Sequence, residues 1–162
     1  MFRKSETGSI TFYYDTEALF NEVGILSSYM AKSAANIDEL SISDDEKDVF
    51  DVCVRQALPD IYDALLKMTS GLVEAISDDI NVGGAYVEFT IKDNGAYNDN
   101  ALVVVDGTLY TCLKYGVLSQ FYSINVSPDM LRLSQDRLTN SLYQLKQRLF
   151  QLKKKVVSSQ LA

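Results

Sequence analysis

The chain has no histidine and no tryptophan among its 162 residues. The missing imidazole removes the commonest general base, the Ser-His-Asp arrangement, the Cys-His pair and every histidine-containing metal site. Cys53 and Cys112 lie far apart in apolar stretches of helical spacing, which predicts buried free thiols. A bridge between them would need an oxidising compartment, which nothing in the sequence suggests. The acidic run Asp44, Asp45, Glu46, Asp48 and Asp51 lacks the alternating ligands, turn glycine and closing glutamate of a calcium loop. Helix capping with a solvated face accounts for it. Gly83-Gly84 has no phosphate-cradling motif around it and reads as a turn. With 22 acidic residues, any two can be called a pair, so no carboxylate dyad stands out. The residue types therefore predict no catalytic, cofactor-binding or metal-ligating set, and the chain reads as non-enzymatic.

Two features point to surfaces instead. There are 10 tyrosines, and Tyr13, Tyr86, Tyr97, Tyr110 and Tyr122 could serve either as a contact surface or as core-edge packing with the hydroxyl in water. The charge is uneven as well. Residues 1–126 carry 8 basic and 20 acidic side chains, whereas residues 127–162 carry 7 basic and 2 acidic. An acidic body argues against broad nucleic-acid binding. The basic set Arg132, Arg137, Lys146, Arg148, Lys153, Lys154 and Lys155 reads as a partner contact, toward an acidic protein face or nucleic acid, with a solvated helix face as the plainer account. In a ring or stack, the basic end of one copy could meet the acidic body of the next.

The elements that must position these residues follow from periodicity. Ser9 to Tyr14 reads as a strand with Ile10, Phe12 and Tyr14 on one face. Asp15 can cap a helix whose stripe is Leu19, Val23, Leu26 and Met30, fading near Ser33 to Asn36. Ser43-Asp44-Asp45-Glu46 is a capping box. Behind it runs the stripe Phe50, Val54, Ala57, Ile61, Leu65, Met68, Leu72 and Ile76. Pro59 interrupts this helix, and a kink or short break is expected there. Tyr86 to Lys92 alternates as a half-buried strand. Asn94-Gly95 then fits a hairpin with Val103-Val104-Val105 returning. The stripe from Leu102 to Ile124 fits a helix, so residues 100–105 are strand or helix; the helix is favoured, with Gly107 the main objection. Ser127 and Pro128 open a last helix with a leucine seam through Leu131, Leu138, Leu142, Leu145, Leu149, Leu152 and Val156.

A chain of 18.1 kDa buries roughly 69% of its unfolded surface, enough for one core without metals or disulfides. Residues 1–157 read as a single domain and residues 158–162 as a frayed tail. No apolar run approaches the ~20 residues of a membrane span, and Met1 to Glu6 lacks the apolar core of a signal peptide. The predicted fold is α-dominated α+β: a four-helix core with a small two-stranded β element. The two strands would pair with each other or add to a neighbour's sheet edge.

The element order and several stretches resemble a known group. These are a helix around Ala18 to Val23, a long helix opening at Asp44 to Asp48, the strand Tyr86 to Ile91, and a helix ending Lys114 to Tyr122 directly before Pro128 and a basic helix. Over roughly residues 8–157 the chain resembles small virion structural proteins of tailed phages and prophages of Bacteroides-like bacteria, of the neck or head–tail connector kind. The resemblance implies a ring-forming structural subunit, made in the bacterial host cytoplasm and located in the virion. Its implied partners are copies of itself and neighbouring portal, tail or neck proteins, close to packaged DNA and away from any membrane. It also supports the helical reading of residues 100–124. The competing expectation is a small cytosolic helical regulator whose basic last helix forms a coiled coil or binds nucleic acid.

Overall fold

A computed structural model of the chain describes residues 1–6, 8–32, 41–68, 85–92, 99–125 and 127–160, with backbone alone at 66–68, 92 and 151–160. The order is β1 (Phe2–Lys4), β2 (Ser9–Asp15), α1 (Thr16–Ala31), a 3-10 turn (Asp44–Glu46), α2 (Lys47–Met68), β3 (Tyr86–Lys92), α3 (Asp99–Ile124) and α4 (Pro128–Gln160). The architecture is α-dominated α+β, as the periodicity predicts.

The sheet is antiparallel in the order β1-β2-β3 and has one strand more than expected. β1 escapes a pattern search because it is three residues long and two of them are Arg3 and Lys4. Its one apolar residue, Phe2, packs at 6.1 Å from Phe12. Charge on so short an edge strand is also a usual guard against edge pairing. Gly8, at φ 83°, supplies the left-handed turn that joins β1 to β2. The two expected strands pair with each other. Ile10, Phe12 and Tyr14 stand opposite Ile91, Phe89 and Val87, and all six are buried.

Asp15 ends β2 and caps α1, its Oδ1 accepting the Ala18 N–H at 2.7 Å. Glu46 Oε2 accepts the Ser43 N–H at 2.9 Å, so the capping box holds the 3-10 turn that leads into α2. The predicted α2 stripe is buried from Phe50 to Leu65. The helix runs on past Pro59. The Met68 side chain, Leu72 and Ile76 lie outside the described residues.

α3 settles the ambiguity at residues 100–105 as helix. It is the central element: the sheet, α1, α2 and α4 all pack on it, and Leu102, Leu109, Cys112, Val117 and Phe121 are fully buried. A stretch of 18 residues within it has mean hydropathy 1.3, enough by length and composition to cross a membrane, yet half of that stretch is buried inside the fold. Its exposed Gly107 has open space around it. α4 returns antiparallel after residues 125–127, with Pro128 as its first residue and the Leu131 N–H on the Ser127 carbonyl at 2.8 Å. Leu145 and Leu149 are buried from the predicted seam. The backbone of the tail expected from Ser158 is helical to Gln160.

Candidate functional site: two exposed apolar features

The basic set does not form one patch. Arg132, Arg137 and Lys146 are exposed on α4 and Arg148 is half-buried. At 3.6 residues per turn, Arg132 and Lys146 fall on one flank of the helix and Arg137 and Arg148 on the opposite one. Arg148 is also engaged: its guanidinium donates to the Val104 carbonyl at 3.3 Å and to the Thr108 hydroxyl. It fastens α4 to α3, which leaves the other three described bases as the free charge. The α4 backbone carries Lys153, Lys154 and Lys155, but their side chains lie outside the described residues.

On the same side of α4 as Arg132 and Lys146 runs an aromatic face that the leucine seam hides in the sequence. Tyr143 and Phe150 are 60% and 64% exposed. One heptad apart, they share the side of α4 turned away from α3, with Lys146 between them. The signal was available: both aromatics fall out of phase with the buried leucines.

A second exposed apolar feature lies on α1. Its inward stripe is Leu19, Val23 and Ala31. Ile25 and Tyr29, four residues apart and off that stripe, are 64% and 72% exposed. They border an open groove of about 450 Å3 whose lining includes Phe20, Gly24, Ile42 and Asp44. The groove exists because the chain before the 3-10 turn is tied closely to α1. The buried Ser27 hydroxyl accepts the Ile42 N–H at 2.9 Å and donates to the Gly24 carbonyl at 2.8 Å. Gly24 permits the approach, since a Cβ there would stand 3.3 Å from the Ile42 carbonyl oxygen. Asp44, Asp45 and Asp48 are exposed at this end of the molecule. The Lys47 ammonium lies 4.7 Å from the Phe20 ring centroid and that of Lys32 5.7 Å from the Tyr29 ring centroid.

The tyrosines divide. Tyr122 is fully buried, its hydroxyl donating to the Ser27 carbonyl at 3.4 Å. Tyr110 stacks on Tyr14 at 4.9 Å and carries Lys114 over its ring, with Lys114 held by Glu22 at 3.0 Å. Tyr13 and Tyr86 meet edge-on at 5.9 Å on the outer face of the sheet, with Arg3 over Tyr13. Tyr97, like Gly83 and Gly84, lies outside the described residues. Among the described residues, no group of three or more Cys, Asp or Glu is gathered as a metal site.

The perturbed groups point the same way. Burial pushes the Cys53 thiol up to about 11 and the Cys112 thiol to about 12. It pushes the Tyr122 phenol up to about 12, and the phenols of Tyr14 and Tyr110 well above their usual value. Each of these shifts holds its group neutral, the opposite of what an activated nucleophile needs. Comparison with known proteins finds no matching family model, no matching curated protein and no matching solved structure.

Proposed function

We propose that the chain is a non-enzymatic structural subunit of a tailed-phage particle, a ring-forming neck or head–tail connector component. It assembles by shape and charge complementarity with copies of itself and with neighbouring virion proteins. The observation that carries this reading is the pairing of an acidic body with a long helix that displays Arg132, Arg137 and Lys146 beside exposed aromatics. Charge of opposite sign at two ends of one chain steers association and fixes register. The element order behind the resemblance to virion proteins is also the order of this fold. An acidic wall suits a DNA passage because it does not hold the DNA that moves through it.

Quantitative mass spectrometry of density-purified particles, normalised to the major capsid protein, tests the proposal. About a dozen copies per particle are expected of a closed ring built from head-to-tail contacts. Hundreds of copies would assign the chain to the capsid surface. Absence from particles would overturn the virion reading and leave the helical regulator, which predicts DNA affinity falling steeply with salt.

A further inference from the structure

The two exposed apolar features match each other. On α4, Tyr143, Lys146 and Phe150 follow an i, i+3, i+7 spacing, the spacing with which a helix seats itself in a groove. On α1, the groove beside Ile25 and Tyr29 is lined by Phe20, Gly24 and Ile42 together with Asn21, Ser28 and Asp44, and the exposed Asp45 and Asp48 follow Asp44 in the chain. Its two lysines are turned onto the Tyr29 and Phe20 rings. The 3-10 turn and the start of α2 remain strongly acidic over Asp44 to Asp51. A helix carrying two aromatics and one lysine therefore brings aromatic area and the opposite sign of charge to this acidic end.

The two features cannot meet within one molecule. Phe150 lies next to Arg148, which reaches Val104, and Tyr29 lies next to Ser27, whose main chain takes the Tyr122 hydroxyl. Val104 and Tyr122 stand 18 residues apart in α3, about 27 Å along a helix that rises 1.5 Å per residue. Each surface therefore faces outward at a different level of the molecule.

We propose that the Tyr143–Lys146–Phe150 stripe of one copy docks in the Ile25–Tyr29 groove of the next, with Lys146 facing the aspartates. This assignment rests on the reading of the chain as a subunit that assembles with its own copies. The contact is heterologous. Every copy that fills a neighbour's groove leaves its own groove open, so the contact propagates until a ring closes or a filament grows.

Complementary knock-outs of the full chain test it. The wild-type chain is expected to grow beyond a dimer as concentration rises in light scattering and sedimentation. Phe150→Glu removes the stripe and Ile25→Lys removes the groove, and each is expected to weaken self-association about tenfold or more, the loss of one central anchor. Mixed together, the two variants retain one usable contact between them and are expected to form a heterodimer that grows no further. Lys146→Asp is expected to weaken assembly, and Asp44→Lys in the same chain to restore it. Circular dichroism checks that each variant folds, with Tyr143→Ser and Ile25→Ser as milder replacements. A wild-type chain that stays monomeric into the millimolar range overturns the contact, as does a mixture that stays monomeric. Particles that contain the chain, together with variants that assemble like wild type, overturn this contact and leave the virion reading standing. Absence from particles with the mixing result intact does the reverse.

Discussion

Tyr14 of β2 donates its phenolic hydroxyl to Asp106 of α3, at 3.0 Å from Oδ1 and 3.1 Å from the main-chain oxygen. Its ring stacks on Tyr110 with an interplanar angle of 16°. This pair joins the sheet to the central helix, and Asp106 also receives the N-terminal ammonium at 2.8 Å. A hydroxyl has one proton, so the two oxygens share it. Tyr14→Phe keeps the stack and loses both acceptors. It is expected to cost about 1 kcal/mol, a fall of about 2–4 °C in Tm for a chain of this size. Asp106→Ala leaves the main-chain oxygen as acceptor and is expected to cost less. The opposite order in urea unfolding would show that the carboxylate's bonds to the phenol and to the N-terminal ammonium together outweigh the main-chain acceptor.

Two glycines in α3 are expected to respond in opposite ways. A Cβ at Gly107 meets nothing within 4 Å, so Gly107→Ala should stabilise by about 1 kcal/mol through helix propensity. A Cβ at Gly116 would stand 3.1 Å from the Ala57 Cβ and 3.6 Å from the Ile61 Cδ1, where α2 crosses. Gly116→Ala should lose most of that gain, and Gly116→Leu should destabilise by about 1–3 kcal/mol through overpacking. A stabilised Gly116→Leu would show that α2 yields at Pro59, which lies between the two contact residues.

The buried thiols and phenols set an alkaline limit. Cys112 rises from 9.0 to about 12, Tyr122 from 10.0 to about 12 and Cys53 from 9.0 to about 11, each by burial. A raised folded-state value means that the native state resists losing the proton. The stability these groups supply is complete below pH 9 and is lost as the pH rises toward 12. Unfolding free energy should therefore fall steadily above about pH 9. At about pH 8 both thiols should resist a disulfide reagent in the native state and react at once in denaturant. Rapid native reaction of Cys112 would contradict its burial.

Much of this fold was legible because its elements announce themselves locally. Asp15, the Ser43–Glu46 box and Ser127-Pro128 mark helix starts by capping chemistry that needs no tertiary contact. The alternation in residues 9–14 and 86–92 marks one buried face. β1 was not legible, since a three-residue strand with two charges has no period. The helix through Gly107 was ambiguous because a helix buried on most sides, like α3, lacks the polar stripe that separates helix from strand. The surfaces were harder still. The basic residues of α4 look like one cluster in sequence, but helical geometry splits them between two flanks. Tyr143 and Phe150 stand in the sequence among the leucines of the seam and show as a separate face only once the seam is seen to pack on α3. The groove on α1 depends on Ile42 being tied to Ser27 across 15 residues, which no local pattern encodes.

The basic residues of α4 should separate by mutation into one that holds the fold and others that do not. Arg148 gives up part of its hydration to bond the Val104 carbonyl and the Thr108 hydroxyl. Thr108 is itself buried and donates to the Val104 carbonyl at 2.8 Å. Arg148→Ala therefore strips a charged donor from two acceptors on α3 and removes the packing of its stem. It is expected to cost about 1.5–3 kcal/mol. Both bonds leave one nitrogen, Nη1, so the three donors of a lysine ammonium should recover part of this in Arg148→Lys, short of the full value because the lysine stem is shorter. Arg132→Ala, Arg137→Ala and Lys146→Ala remove exposed charges and should stay within about 0.5 kcal/mol of wild type. Their effect belongs to assembly: Lys146→Ala should weaken self-association in low salt and matter less as screening shortens the reach of the charge. Equal stability losses across all four alanine variants, read by urea unfolding, would show that Arg148 is no more tied to α3 than its neighbours.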